Sequence, residues 1–249
     1  MKEVIKAEHL YRSYVRNTED AGEIKVLNDI NLLVEEGEFV AIMGKSGCGK
    51  TTLIKTLGLI DEPTGGNVFF KEKNTVKLWD EELADIRRRS IGFVFQDFYL
   101  MDSLSVIENI MLPMILDKKD SQSCVEKARA LAEHFEIAHL LDKNAYELSG
   151  GEKQRVAISR ALINDPDVIL ADEPTGNLDS KSGHIVIDEF CKINEEMGKT
   201  VVMVTHDPYI ASRCKRIIFL KDGMILEDLK KEVSEEEYYH QIIGKMEML

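Results

Sequence analysis

The chain has 249 residues, 44% of them apolar, with four cysteines and a formal net charge of −13. Its length suits one large domain or a core with a subdomain, and its acidic balance argues against a general electrostatic attraction to nucleic acid or to an anionic membrane surface. Cys48, Cys124, Cys191 and Cys214 contain no C-x-x-C pair, so neither a zinc site nor a disulfide framework is expected and a reducing cytosol fits. No charged-then-apolar leader opens the sequence, and no uninterrupted apolar run of about 18 residues could span a bilayer.

The N-terminal third reads as strands: "VIKAEHLYRSY", a polar loop "RNTEDAGE", then "KVLNDINLLV" and "FVAIM". Directly after the last of these, "GKSGCGKTTLIKTL" begins at Gly44 and passes into a helix near Lys50. Gly44, four residues, then Gly49, Lys50 and Thr51 is the phosphate-binding spacing in the strand-to-helix setting it requires. Glycines let the backbone wrap N–H groups around an anion, and the helix start adds unpaired donors and a positive dipole end. Lys50 can reach the β- and γ-phosphates, and the Thr51 hydroxyl can ligate Mg²⁺. Gly44, Lys45, Ser46, Gly47, Cys48, Gly49, Lys50, Thr51 and Thr52 are therefore the candidate contacts to a nucleoside triphosphate. Oxidation of Cys48 would block such a loop, although a thiol needs a lowered pKa to act as a sensor.

Next come a turn cluster "DEPTGG", a short strand "NVFF", a helix "DEELADIRRR" and an apolar strand "IGFVF" that ends at Gln96. A neutral amide there can meet a metal-bound water without altering the charge balance. From about 97 to 165 the pattern is helical, with "SVIENIMLPMIL", "CVEKARALAEHFEI" and "GEKQRVAISRALI". The "FYLM" within Asp97 to Met101 is expected to be exposed and to suit a docking surface. In "LSGGEKQR", Ser149, Gly150 and Gly151 make a second anion-ready helix start. One nucleotide needs only one phosphate loop, so this second one is most easily used on the nucleotide of another copy.

Strand and helix alternation resumes with "DVILAD", "TVVMVTH" and "RIIFL", and continuous apolar strands separated by helices suggest a parallel sheet covered on both faces. Asp172 at a strand end can hold Mg²⁺ through water, and Glu173 beside it can polarise an attacking water as general base. His206, after another apolar strand, could donate a hydrogen bond near a γ-phosphate. The expected organisation is a nucleotide-binding α/β core of residues 1–96 and 166–228, a helical subdomain of 97–165, and a tail of 229–249. In that tail Tyr238, Ile242 and Met246 at helical spacing suggest a helix lying on its own core.

In this order the motifs resemble the ATP-binding cassette ATPases over nearly the whole chain. The resemblance makes "GKSGCGKT" the Walker A loop, Gln96 the Q-loop, "LSGGEKQR" the signature, "VILADE" Walker B, "NLD" at 177 to 179 the D-loop, and His206 the switch histidine. It implies an α/β P-loop NTPase (RecA-like) fold: a parallel-sheet core with an N-terminal antiparallel β subdomain and a helical signature-motif subdomain. It implies ATP and Mg²⁺ as cofactors, with Thr51, Gln96 and Asp172 at the metal, Glu173, His206 and Gln96 in catalysis, and Asp179 at the nucleotide. The adenine-stacking aromatic corresponds to Tyr14, with Tyr11 as competitor. Two copies are expected to meet head to tail around two ATP molecules, Ser149, Gly150 and Gly151 of one completing the site of the other. The strings "FVFQDFYLMDSLSVIENIMLPM" and "LADEPTGNLDS" resemble the macrolide-export, lipoprotein-release and antimicrobial-peptide-resistance group, closest to its bacitracin and lantibiotic type. That implies an integral membrane permease on another chain as partner, a place at the cytoplasmic face of the membrane, and no nucleic acid. Soluble cassettes for iron–sulfur assembly or DNA repair are the rivals; the latter carry long coiled coils, and no sustained heptads lie between 97 and 148.

Overall fold

The computed structural model describes residues 2–15, 22–247 and 249; most of the polar loop "RNTEDAGE" lies outside them. In chain order the elements are β1 (Glu3–Val15), β2 (Glu23–Glu35), β3 (Phe39–Met43), α1 (Lys50–Leu57), β4 (Gly65–Phe70), β5 (Lys73–Asn74), α2 (Asp80–Arg89), β6 (Ile91–Phe95), α3 (Val106–Leu116), α4 (Ser121–His134), α5 (Gly150–Leu162), β7 (Val168–Asp172), α6 (Ser180–Glu195), β8 (Thr200–Val204), α7 (Pro208–Ser212), β9 (Arg216–Lys221), β10 (Met224–Lys230) and α8 (Glu235–Met246). The chain forms two compact units, one running up to Leu83 and again from Thr200, the other from Ala84 to Lys199.

The first unit contains an antiparallel sheet in the order β2-β1-β4-β5 and a second set in the order β10-β9-β3-β8. Along β1 the buried residues Ile5, Ala7 and Leu10 fall out of strict alternation, because the β1–β2 register slips between Ala7 and Leu10. His9 and Asp29 take left-handed backbone there (φ 46 and 52), and side chains hold the slip in place. The His9 amide donates to Asn31 Oδ1 (2.9 Å), and the His9 ring meets Asp29 Oδ1 at 2.7 Å. In the second set β3 runs parallel to both β8 and β9, and every residue of β3 and β8 is buried. Continuous apolar runs such as "FVAIM" and "TVVMV" are what a strand covered on both faces requires.

Strand β10, absent from the sequence expectation, pairs antiparallel with β9. Its residues alternate between half-buried and exposed, as befits a strand at the end of its sheet, so it lacks the apolar run that marks the others. The C-terminal helix α8 forms as expected and fully buries Tyr238 and Ile242. The Tyr238 hydroxyl donates to Leu229 O (3.0 Å), and burial pushes its pKa above the ordinary phenol range.

The second unit pairs β6 with β7 in parallel and surrounds them with α3 to α6. The helical pattern expected from about 97 starts only at Val106, because Phe98 and Tyr99 both have positive φ (61 and 45) and a cap is first available at Ser105. There Ser105 and Glu108 form a capping box worth about 1 kcal/mol. Asn109, fully buried one turn inside α3, ties the preceding loop down: its Nδ2 donates to Met101 O and Leu104 O, and its Oδ1 accepts from the Met101 amide (2.8 Å). Helix α4 stops at His134 rather than at Ile137, since Glu136 turns left-handed (φ 56) and ends the helical hydrogen bonding.

Candidate nucleotide-binding and hydrolysis site

In the first unit the phosphate loop leaves β3 and enters α1. Gly49 caps α1 with φ +106, and a Cβ on it would stand 2.9 Å from Val26 O, so neither the backbone nor the space accepts a side chain. It provides no side-chain cap, which leaves the first N–H groups of α1 facing the loop. Lys50 is buried, and its ammonium donates to Gly44 O (2.8 Å) and Lys45 O (2.9 Å). A cation held inside a ring of backbone, beside uncapped helix N–H groups, is a donor set that fits a polyphosphate. The β9–β10 turn braces the loop from outside, the Gly223 amide donating to Cys48 O (3.1 Å). Cys48 is buried and its desolvated thiol is raised in pKa, so at neutral pH it carries its proton and lacks the thiolate character of a redox sensor.

His206 belongs to the same unit and the same sheet end. The register of β3 on β8 sets Ile42 opposite Val204, so the chain leaves both strands level, toward Gly44 on one side and His206 on the other. The buried Thr205 donates its amide to Ile42 O (3.1 Å), and Asp207 caps α7 immediately afterwards, which fixes the backbone on both sides of the exposed His206.

Tyr11 and Tyr14 are equally exposed on β1, 37% and 38%. They differ in their neighbours: the Arg12 guanidinium lies 4.5 Å over the Tyr14 ring, and the Tyr14 hydroxyl donates to Asp61 Oδ2 (2.8 Å), whereas Tyr11 packs against Gly65. Tyr14 is thus held as a fixed plate with one face taken by a cation.

In the second unit the remaining candidates converge on one turn, residues 173–178. The register of β6 on β7 sets Phe95 opposite Asp172, so Gln96 and Glu173 leave their strands side by side. Glu173 has left-handed backbone (φ 44) although it precedes a proline. The turn closes by Gly176 N donating to Glu173 O (2.9 Å). Gly176 leaves room for the Gln96 side chain, whose amide carbon would lie 2.9 Å from a Cβ placed there. Asn177 then stitches the turn to Gln96: its Nδ2 donates to Gln96 O (3.1 Å) and to Asp97 Oδ1 (2.9 Å), while Gln96 Nε2 donates to its Oδ1 (3.1 Å). Asp179 caps α6, its carboxylate accepting from the Ser182 amide (3.0 Å) and hydroxyl (2.7 Å), which lowers its pKa.

Ser149, Gly150 and Gly151 do start a helix, α5. Ser149 is its cap, and its hydroxyl donates to Glu152 Oε2 (2.7 Å). Glu152 also accepts from the Ser149 amide (2.7 Å), and these bonds hold its carboxyl below the usual carboxylate range. Sequence reading missed three residues that organise this unit: Asn177 as a side chain in its own right, Arg160, whose guanidinium donates to Tyr99 O (2.5 Å) and Phe98 O (2.6 Å), and Gln154. The available signal was a polar residue among the apolar positions of α5, where Gln154 and Ser159 are both fully buried.

The ABC transporter family profile matches residues 27–176. The chain belongs to that family. The uncharacterized ABC transporter ATP-binding protein YvcR of Bacillus subtilis (strain 168) is 44% identical over 246 residues, 99% of this chain and 95% of that protein. The bacitracin export ATP-binding protein BceA of Halalkalibacterium halodurans is 42% identical over 228 residues, 92% of this chain and 89% of its own length. Among solved structures, the dimeric post-hydrolysis state of the ATP-binding cassette MJ0796 bound to ADP and Pi superimposes with a TM-score of 0.84 at 41% identity, covering 92% of this chain and all of that one. The chain is accordingly an ABC transporter ATPase with the α/β P-loop NTPase fold that its motifs imply. No described helix is long and apolar enough to cross a membrane.

Proposed function

We propose that this ATPase dimerises head to tail around two ATP molecules and drives a separate membrane permease of the antimicrobial-peptide-resistance type. The observation that carries the first part is the presence, in one chain, of two separate glycine-bearing helix starts of the kind that suit an anion, at Gly49–Lys50 and at Ser149–Gly151, of which a single nucleotide needs only the first. The dimeric cassette with ADP and Pi is 41% identical to this chain, and the bacitracin export relative supports the class of permease.

The roles follow residue by residue. Lys50 and the amides of Gly47 to Thr52 bind the phosphates, and Tyr14 offers its open face to the adenine. Mg²⁺, when bound with ATP, neutralises phosphate charge; Thr51, Asp172 and Gln96 carry the hard oxygen donors such an ion takes. Glu173 accepts the proton of the attacking water, and His206 orients the γ-phosphate by donating to it. Ser149 contributes its hydroxyl to the nucleotide of the second copy once that hydroxyl turns away from Glu152.

The permease docks on the second unit. A groove of roughly 580 Å³ there is lined by Phe93, Phe95, Tyr99, Leu112 and Pro113, with Arg87 at its edge. Tyr99 in its lining is 62% exposed and Met101, two residues on in "FYLM", 47%, large apolar surface that suits an amphipathic helix of the permease. Light scattering of the Glu173→Gln protein with and without ATP tests the sandwich. A shift from monomer to dimer on adding ATP is expected, and measured ATP binding with no shift, in the isolated chain and again in complex with its permease, would overturn it.

A further inference from the structure

The D-loop turn is supported by Gln154, a residue within the signature stretch "LSGGEKQR" that carries none of the roles given above. Gln154 lies on α5 one turn beyond Gly150, and its side chain is completely buried. Its Nε2 donates to Pro174 O at 2.7 Å, while its Oε1 has no hydrogen-bond partner among the described residues. A buried amide with one half unsatisfied costs about 1–3 kcal/mol relative to an apolar side chain of the same shape, so stability alone gives no reason for glutamine here.

What it holds is the carbonyl of the residue next to Glu173. Glu173 sits at φ 44, a left-handed conformation unfavourable for a side-chain-bearing residue and more so before proline. Such a backbone persists only where its surroundings over-determine it. Gly176 N fixes the Glu173 carbonyl from one side and Gln154 fixes the Pro174 carbonyl from the other. Pro174 is itself buried and has no N–H, so without Gln154 its carbonyl would be a buried acceptor without that partner, and the turn that begins at Glu173 would lose one of its two anchors. The N-terminus of α5 rests on the same turn: a Cβ on Gly150 would stand 3.0 Å from the Leu178 side chain.

We infer that Gln154 is the positioning residue of Glu173, holding the strained Glu173–Pro174 backbone in the one orientation that aims the general base. The helix that presents Ser149 to a second copy's nucleotide therefore also sets the base of its own chain. This rests on the assignment of Glu173 as general base.

The test is steady-state ATP hydrolysis by the full-length Gln154→Met protein, which keeps the shape and removes the donor. A fall in kcat of tenfold or more is expected, with KM for ATP within about twofold of the parent and ATP-dependent dimerisation retained in the Gln154→Met/Glu173→Gln double variant. Gln154→Leu, close in volume and without a donor, is expected to show the same split and serves if the methionine variant folds poorly. Ser159→Ala is the control: Ser159 is equally buried on α5, but its hydroxyl donates only within the helix, to Arg155 O (2.8 Å), and its kcat is expected to stay within about twofold. Folded Gln154→Met protein with parental kcat, or one whose loss appears in KM instead, overturns the inference. Glu173→Gln separates the two failures: if that variant hydrolyses ATP normally the general-base assignment falls, and if it is inactive while Gln154→Met is normal only Gln154's role falls.

Discussion

The phosphate loop of the first unit and the 173–178 turn of the second place their chemistry by different means. The loop is built from backbone: Gly49 supplies the conformation, α1 supplies amides, and Lys50 is held by carbonyls five and six residues away. The turn is built from side chains that arrive from far along the chain, Gln154 from 20 residues away and Gln96 from 81. A loop that folds around its own backbone tolerates few residue types but depends on few neighbours. A turn held by distant amides depends on the packing of several helices at once, and so can be moved when one of them moves.

This contrast can be broken at the loop first. Lys50→Ala removes a buried cation, and a charge-assisted phosphate contact is worth about 1.5–3 kcal/mol, so ATP affinity is expected to fall roughly 10- to 100-fold. Fluorescent-nucleotide titration reads it, and parental affinity would remove Lys50 from the site. Gly49→Ala comes next: a left-handed alanine costs about 1–2 kcal/mol, and the 2.9 Å approach to Val26 O adds to it. Thermal melting is expected to fall by about 4 °C or more, with ATP affinity reduced in parallel. A variant as stable as the parent would show that the loop is not fixed by its glycine.

The smallest effect sharpens the other side. Glu152, whose pKa is lowered chiefly by the Ser149 hydroxyl and then by the Ser149 amide, steadies the start of α5 only while ionised. That stabilisation is fully present above the unfolded carboxylate value of about 4.3 and is lost as pH falls through the lower folded value. The parent is therefore expected to melt about 1–2 °C above Glu152→Gln at pH 7 and to lose that advantage below about pH 4. A difference that persists at lower pH would mean that the glutamine variant loses something other than the charge.

How much of this could be read from the sequence follows from the same contrast. "GKSGCGKT" declares its conformation, since glycine spacing and one lysine are local facts, and the apolar runs "FVAIM" and "TVVMV" declare a strand covered on both faces. The level exits of β3 and β8 toward Gly44 and His206, and of β6 and β7 toward Gln96 and Glu173, were implied by motif order but needed the strand register to be seen. The partners of Gln154 and Asn177 were illegible, because a hydrogen bond to Pro174 O or to Gln96 leaves no period and no local composition; a polar residue among the apolar positions of α5 was the one mark that Gln154 left. Strand β10 escaped for a related reason: lacking a buried run, it reads as loop.

The most direct measurement is ATP turnover set beside equilibrium ATP binding for the Glu173→Gln protein. Binding within about twofold of the parent with turnover reduced by a factor on the order of 100 or more is the predicted result, the scale of a lost general base. Turnover at the parental rate would contradict it, and would leave the strained turn that Gln154 and Gly176 hold without its catalytic purpose.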